Sequence, residues 1–427
     1  MESTSSDHAN LPGHLNNLGI SYSGRFKLSG NLQDIDHAIS HHQKAVESTP
    51  SGHANLPHQF NNLANSYFNR FKHTGDLQDI DCAISHHHTA VETTPSGYIY
   101  LAGLFYNLGN LYLARFQSTH CLSDIQNSIA SYRQSAQANG IPSIRLKAAN
   151  SAAIHSSVYD KSQCLNDFAM AISLLSEVAG LKQKIHRHHF SHYGCSGLVE
   201  SAVALALHYN RPDLALEWLE QGHSLVWNQL NQLYTPIDNL YVRSSSLANT
   251  FVQVARSLES YGTHSSSILS PNSTPTEHIH VKDSTHKHYV AAKYANLLKE
   301  IRCLPNFHDF LQPPNATNLL FSLPPDGPVI IFNTNKCQCD ALALICGIDE
   351  PLHIPLENFS SVEAEKLQDR LQSDILKQQE AEDGDYAGAT LHSMAFVLKE
   401  LWHKVVYPVL QAIGYSVSSV DHQIYLY

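Results

Sequence analysis

The sequence predicts a mainly α-helical protein, an α-solenoid of repeated helical hairpins followed by a partial α/β module. Two observations predict this architecture. Blocks of sequence recur at a fixed offset, which is typical of solenoids, because each hairpin needs its neighbours to bury its apolar face. In the C-terminal part the apolar residues form short continuous runs instead, and such runs are typical of buried strands.

The repeat is clearest at its start. His8-Ala9-Asn10-Leu11-Pro12 recurs 45 residues later as His53-Ala54-Asn55-Leu56-Pro57. The same offset relates three copies, which we place at residues 8–52, 53–97 and 98–142. Three copies at one spacing indicate a repeat array rather than a chance similarity.

Each copy is predicted to form two helices. In the first copy Leu15, Leu18 and Tyr22 have the spacing of one helix face. Ser29-Gly30-Asn31 is a turn signal, and a second apolar helix face begins at Ile35.

The pattern Leu15-x2-Leu18-Gly19-x2-Tyr22 resembles the first helix of the tetratricopeptide repeat, or TPR. The second-helix signature of that family matches at Ala38 and Ala45, while the third copy carries serine at the equivalent positions. The period of 45 residues exceeds the ~34 of the standard repeat, so either longer first helices or longer connecting loops must accommodate the excess.

Helical apolar spacing continues past the third copy without the clean period. We therefore expect a TPR-like solenoid over residues 1–262, with about six helix pairs. Residues 263–288 are rich in Ser, Thr, Pro and His, and we expect a flexible linker there.

The remaining chain is predicted to form a different kind of module. Continuous apolar runs predict strands at residues 327–333, 339–346 and 352–356. Helical patterns follow at residues 362–380 and 387–412.

Several segments in order resemble TPR proteins that carry a caspase-like CHAT domain. The junction helix at residues 214–227 and the Leu401-Trp402 helix are the clearest of them. The resemblance implies that residues 289–415 are the N-terminal part of a CHAT domain, and residues 416–427 depart from the family pattern. CHAT peptidases resemble caspases, whose catalysis needs a His, typically followed by Gly, and a later Cys nucleophile.

That catalytic pair is missing from this sequence. The chain has no His-Gly dipeptide, and its last cysteine, Cys346, precedes His353 and every later histidine. We therefore expect a protein–protein interaction scaffold whose CHAT module is incomplete and catalytically inactive. The alternative is the N-terminal part of a CHAT-type cysteine endopeptidase, whose TPR array recruits substrate or regulates activity.

Composition excludes several other classes of function. The net charge is −11 and only 15% of residues are charged, which disfavours binding to nucleic acid or to an anionic membrane surface. The sequence shows neither a membrane-length apolar run nor a signal peptide, so we expect a cytoplasmic protein with its 8 cysteines as free thiols. The oligomeric state is left open.

The candidate partner-binding residues are Asn17, Asn62 and Asn107, which lie beside the small residue of each first helix. In TPR arrays the first helices line a concave groove, and an asparagine amide can both donate to and accept from a peptide backbone. A ladder of asparagine bonds between neighbouring repeats explains the same residues equally well. Three arginine–aspartate pairs are expected to tie the two helices of each repeat, namely Arg25–Asp34, Arg70–Asp79 and Arg115–Asp124.

The 29 histidines raise the question of metal binding. His188 and His192 have the spacing of two ligands on one helix, His86-His87-His88 forms a second run, and Cys337-x-Cys339 is a weak zinc signal. A suitable further ligand is lacking near the first and last of these, so we expect no metal and no cofactor. A third hypothesis is a pH-responsive binder, which predicts that partner affinity falls below about pH 6.

Overall fold

The computed structural model describes four stretches of the chain. These are residues 10–180 except 96, 97 and 99, 197–263 except 232–236, 293–380 except 295, 306, 309, 311–314, 326, 337 and 338, and 387–415. Residues 264–288 of the predicted linker, the tail 416–427 and the His188/His192 pair lie outside them. Contacts divide the chain into two units, Met1–Ser196 with Thr274–His288, and Gly197–Ser273 with Tyr289–Tyr427.

Unit 1 contains eight described helices in four consecutive hairpins, and each helix packs against the next one in the chain. This arrangement confirms the predicted TPR-like α-solenoid. The helices are α1 (Leu11–Ser29), α2 (Leu32–Glu47), α3 (Leu56–Thr74), α4 (Leu77–Glu92), α5 (Leu101–Thr119), α6 (Leu122–Gln137), α7 (Pro142–Tyr159) and α8 (Cys164–Gly180).

Helix length accounts for the long repeat period. The first helix of each copy has 19 residues and the second has 16, and only two residues separate them. Gly30 ends α1 in the left-handed conformation with φ of 68°, which glycine adopts at little cost. The Asn31 side chain then caps α2 by accepting from the backbone N–H of Gln33. Longer first helices are therefore correct, and longer loops between the two helices are not.

A small residue on each first helix lets the second helix approach closely. A Cβ atom added at Gly19 would lie 2.4 Å from Cδ2 of His42, and one added at Gly109 would lie 2.6 Å from the Tyr132 ring. His42 and Tyr132 occupy equivalent positions of their copies, two periods apart. Glycine therefore makes room there for a ring of the second helix.

The third copy departs from the TPR signature for a reason that the packing explains. Ser128 and Ser135 replace the alanines of the first two copies and are completely buried. The Ser128 hydroxyl donates to the Gly109 carbonyl at 2.8 Å, and that of Ser135 donates to the Ala102 carbonyl at 2.7 Å. Each buried hydroxyl is therefore satisfied by the first helix of its own repeat.

Unit 2 combines helices with one small sheet. Its helices are α9 (Leu198–His208), α10 (Pro212–Asn231), α11 (Ile237–Arg243), α12 (Ser245–Thr263), α13 (Ala316–Phe321), α14 (Ser361–Glu380), α15 (Ala387–Leu401) and α16 (Tyr407–Ala412), with a π-helical turn at Trp402–Val406. Its strands are β1 (Val329–Thr334), β2 (Cys339–Leu344) and β3 (Leu352–Pro355). The three strands and the two helices after them lie where the sequence predicts them.

The sheet is antiparallel in the order β1-β2-β3. Ala341 and Ala343 on one face of β2 belong to an apolar cluster with Val405 and Val409 of the helices that follow the sheet. On β1, the Asn333 side chain donates to the carbonyl of Glu200 in α9 at 3.2 Å. The central strand is buried along its whole length.

The contacts divide the chain at a different place from the predicted domain boundaries. Residues 1–262 were expected to form one solenoid, but α9 to α12 are grouped with the sheet. Two polar contacts contribute, the bond from Asn333 to α9 and one from the Ala316 backbone N–H to Oε1 of Glu217 in α10. The boundaries at 262, 288 and 415 stay predictions.

Candidate functional site

An arginine of each first helix holds an aspartate of the second helix. Arg25 donates to both carboxylate oxygens of Asp34, at 2.8 and 2.5 Å. Arg70 and Arg115 bind Asp79 and Asp124 in the same bidentate way. The predicted ties are therefore confirmed in all three copies. The hydrogen bonds from Arg25 hold the pKa of Asp34 below its usual range, which keeps this buried carboxylate ionised.

Arg70 and Arg115 also join neighbouring repeats, which sequence reasoning did not predict. Nη1 of Arg70 lies 2.7 Å from Asp36 of the first repeat, and Nη1 of Arg115 lies 2.6 Å from Asp81 of the second. Asp36 and Asp81 recur at the 45-residue offset, and this recurrence is the feature of the sequence that could have indicated the contacts between repeats. Each guanidinium thus contacts two carboxylates, and its planar fork suits this geometry.

The candidate asparagines form bonds between repeats. Nδ2 of Asn62 donates to Oδ1 of Asn16 at 2.9 Å, and Nδ2 of Asn107 donates to Oδ1 of Asn61 at 3.2 Å. We call these four residues the asparagine row. The ladder interpretation is therefore confirmed at both interfaces among the three copies. Asn17 is exposed on α1, and the partner-binding role of Asn17, Asn62 and Asn107 stays a prediction.

The surface beside the asparagine row carries further amide side chains. Asn62, Asn65 and Asn69 follow one another at helical spacing and are half-buried on α3. Asn110 continues the pattern on α5, where Oδ1 accepts from the Tyr132 hydroxyl at 2.8 Å. This surface therefore offers amide donors and acceptors, and the exposed Lys72 lies one turn beyond Asn69.

Many histidines of unit 1 are packed against aromatic rings rather than solvated. The His41 ring stacks on Tyr22 with centroids 5.5 Å apart, and the His86 ring stacks on Tyr67 at 5.6 Å. Burial lowers the pKa of His41, His86 and His155. These imidazoles therefore stay neutral over a wider pH range than exposed ones.

Two histidines are buried almost completely at equivalent positions. His42 is 1% exposed, and its Nδ1 lies 3.0 Å from the Ser66 hydroxyl of the next repeat. His87 is 0% exposed, and its two ring nitrogens have no hydrogen-bond partner in the part of the chain that the structure describes. Leu111 stands where the second repeat has Ser66, which explains the difference. Burial lowers the pKa of both imidazoles to about 4.

Unit 2 has one notable polar pair. Nε2 of His353 on β3 lies 2.8 Å from Oδ1 of Asp340 on β2, and Asp340 is almost completely buried. Cys339, the neighbour of Asp340, is buried too, and burial raises the pKa of its thiol. A thiol with a raised pKa is a weak nucleophile at neutral pH.

The described part of the chain contains neither a metal-binding cluster nor a membrane-spanning helix. No group of three or more His, Cys, Asp or Glu side chains there is arranged to hold a metal ion. Within the same residues, no helix is long and apolar enough to cross a membrane. In the predicted histidine run, the His86 ring stacks on Tyr67 and His87 is completely buried. Nε2 of His88 lies 2.7 Å from the Tyr112 hydroxyl.

Comparisons with known proteins find matches among solved structures. No model of a known protein family matches the chain, and no curated protein matches it. Among solved structures, the chain is similar to a putative kinesin light chain with nearly identical TPR-like repeats from Podosopora anserina, with 16% identity and a TM-score of 0.30. The match covers 51% of this chain and 96% of the other. At this score the similarity adds no argument, and the TPR-like description rests on the packed helix pairs themselves.

Proposed function

We propose that this protein is an interaction scaffold that binds an extended peptide segment along the first helices of its repeats. The observation that carries the proposal is the amide-rich surface around the asparagine row on α1, α3 and α5. An extended peptide presents alternating N–H and C=O groups, and asparagine amides can pair with both. No Asp, Glu, Lys or Arg lies within four sequence positions of these four asparagines, so the stretch of surface that they line suits a peptide without charged anchor residues.

The ladder bonds are compatible with this role. Each bond uses one N–H of Asn62 or Asn107, and an amide offers two N–H donors and two acceptor lone pairs. The ladder thus holds the side chains in one orientation, which reduces the entropy lost when a peptide is bound.

The test separates peptide binding from the ladder. A peptide selected from a displayed random library against the purified chain serves as the probe. We expect the Asn62→Ala, Asn107→Ala double variant to bind it at least about tenfold more weakly, as loss of two hydrogen bonds would give. The matched control is Asn16→Ala with Asn61→Ala, which removes the same two ladder bonds from the other side.

Two results would contradict the proposal. If both double variants lose equal stability and equal affinity, the asparagines act only through the ladder. Asn17 is exposed and lies outside the ladder. If a peptide contacts α1 and Asn17→Ala leaves its affinity unchanged, Asn17 is not a binding residue.

We also propose that this chain has no catalysis of its own, and that its sheet with α14 to α16 is the incomplete CHAT module. The predicted order of three strands and two helices supports the second point, and the missing His-Gly and later Cys support the first. The alternative, the N-terminal part of a CHAT-type endopeptidase, requires residues that this sequence does not contain. Cleavage of a fluorogenic peptide library by the purified chain, abolished by Cys339→Ala or Cys346→Ala, would overturn the first point.

A further inference from the structure

Three aromatic side chains from two consecutive repeats meet at one end of the first-helix surface. The His58 ring, in the first turn of α3, lies edge-to-face with the Tyr100 ring at a centroid distance of 5.0 Å and with the Tyr98 ring at 6.1 Å. The two tyrosine rings are 5.4 Å apart and tilted by 55°. We call these three residues the aromatic cluster. Because its rings are tilted and not stacked in parallel, they do not cover each other's faces.

The aromatic cluster is accessible and uncharged. Tyr98 and Tyr100 are 36% and 44% exposed. His58 is half-buried, and burial lowers the pKa of its imidazole, which keeps this ring neutral at physiological pH. The Tyr98 hydroxyl lies 3.5 Å from Nε2 of His58. The cluster therefore presents two tyrosine rings and their hydroxyl groups to a ligand without any charge of its own.

The aromatic cluster is continuous with the surface of the asparagine row. One face of α3 carries in succession, at spacings of three or four residues, His58, Asn62, Asn65 and Asn69. On α5, Tyr100 stands at the N-cap, and Asn107 lies two turns further along the same face. An extended ligand that pairs with the asparagine amides therefore also reaches the rings.

We propose that the aromatic cluster binds a proline-rich segment of a partner protein in the polyproline II conformation. This inference rests on the proposed function and names the class of peptide that the surface takes. Aromatic-lined grooves are a recurrent way to bind polyproline II segments, whose proline rings pack on the aromatic faces. Because proline has no N–H, such a segment presents mainly carbonyl acceptors. Asparagine amides and tyrosine hydroxyls are both able to donate to these carbonyls.

The charge around the aromatic cluster also favours a proline-rich ligand. No Asp, Glu, Lys or Arg lies within five sequence positions of His58, Tyr98 or Tyr100. The nearby sequence therefore offers neither a carboxylate for a cationic ligand nor a cation for an acidic one. A proline-rich segment needs neither, and its stiff backbone loses little conformational entropy when it binds.

The experiment measures fluorescence anisotropy with the full chain and a labelled ten-residue all-proline peptide as the probe. We expect this peptide to bind, and Tyr100→Leu to weaken binding at least about fivefold, as loss of an aromatic anchor does. Tyr100→Phe keeps the ring and should weaken binding less than about threefold, the effect of one hydrogen bond. Tyr159→Leu is the matched control, because Tyr159 is 42% exposed and its ring packs against Phe116 on other helices. This control should bind like the wild type.

A labelled Gly-Ser peptide of the same length tests whether proline is required. This peptide has a flexible backbone and no rings, and we expect it to bind at least about tenfold more weakly than the proline peptide. Absence of binding by the proline peptide, equal binding of the two peptides, or equal affinity of the Tyr100→Leu and Tyr159→Leu chains would overturn the proposal. Self-association in sedimentation that Tyr100→Leu abolishes would also overturn it, because the cluster would then bind a second copy.

The asparagine variants separate this proposal from the proposed function. If the proline peptide depends on Tyr100 but binds the Asn62→Ala, Asn107→Ala chain like the wild type, the role of the asparagines is wrong and the proline site stands. If the library-selected peptide depends on these asparagines while the proline peptide does not bind, the proline site is wrong and the proposed function stands.

Discussion

Replacing His87 with leucine should stabilise unit 1, and the gain should grow as the pH falls. His87 is completely buried, and neither ring nitrogen has a hydrogen-bond partner among the described residues. Leucine has a similar volume and no polar atoms to leave unsatisfied. An unsatisfied buried polar group costs about 1–3 kcal/mol, so we expect a gain of about 1 kcal/mol at neutral pH after imperfect packing is counted.

The pH dependence follows from the lowered pKa. Burial holds the pKa of His87 at about 4 in the folded chain, and His86 and His88 on the same helix lower it further. In the unfolded chain the pKa is about 6.5. Between these values the unfolded state binds more protons, so acid favours unfolding. At about pH 5 this difference costs the wild type about 2 kcal/mol, and the advantage of the leucine variant should reach about 3 kcal/mol.

Urea unfolding followed by circular dichroism at about pH 7.5 and about pH 5 measures both quantities. His14→Leu is the matched control for the substitution itself, because His14 is exposed on α1. An equal effect of His87→Leu at the two pH values would refute the reasoning, since a buried neutral imidazole must couple unfolding to proton uptake. A loss of stability at both pH values would show that the ring nitrogens have partners.

Two further predictions follow from the packing. Gly19→Ala should lower the free energy of unfolding by about 1–3 kcal/mol, because the added Cβ would lie 2.4 Å from the His42 ring. The control Gly24→Ala has open space around the added Cβ and should stabilise α1 by about 0.5–1 kcal/mol. Equal melting temperatures of the two variants would contradict this prediction. Arg70→Ala should lower the free energy of unfolding by about 3 kcal/mol, because it leaves the buried Asp79 unpaired. Arg70→Lys should restore only part of this loss, since lysine cannot bind the carboxylate bidentately. Full restoration by lysine in urea titrations would show that charge alone matters.

Much of the fold could be predicted because its signals are local. The 45-residue offset, the turn at Gly30 and the apolar spacing of each helix lie within one copy, and the three strands appear as continuous apolar runs. The arginine–aspartate ties were predictable for the same reason, since Arg25 and Asp34 flank a single turn. One ambiguity in the period, longer helices or longer loops, could not be resolved from the pattern, because both place the same residues on the same faces.

The contacts between repeats were decided by tertiary structure. The pairing of Asn62 with Asn16, of Arg70 with Asp36 and of His42 with Ser66 depends on how one hairpin rotates and shifts against the next. Sequence periodicity repeats these residues without stating which of them meet. The grouping of α9 and α10 with the sheet also depends on tertiary contacts, among them two hydrogen bonds between residues more than 90 positions apart.

The sequence by itself therefore determined the repeat, the type of each main element and the arginine–aspartate ties within each copy. The structure alone decided that the asparagines bind each other and that two histidines are buried. The physical reason is that helix formation and amphipathic spacing depend on residues a few positions apart, whereas burial and pairing depend on the packing of whole helices.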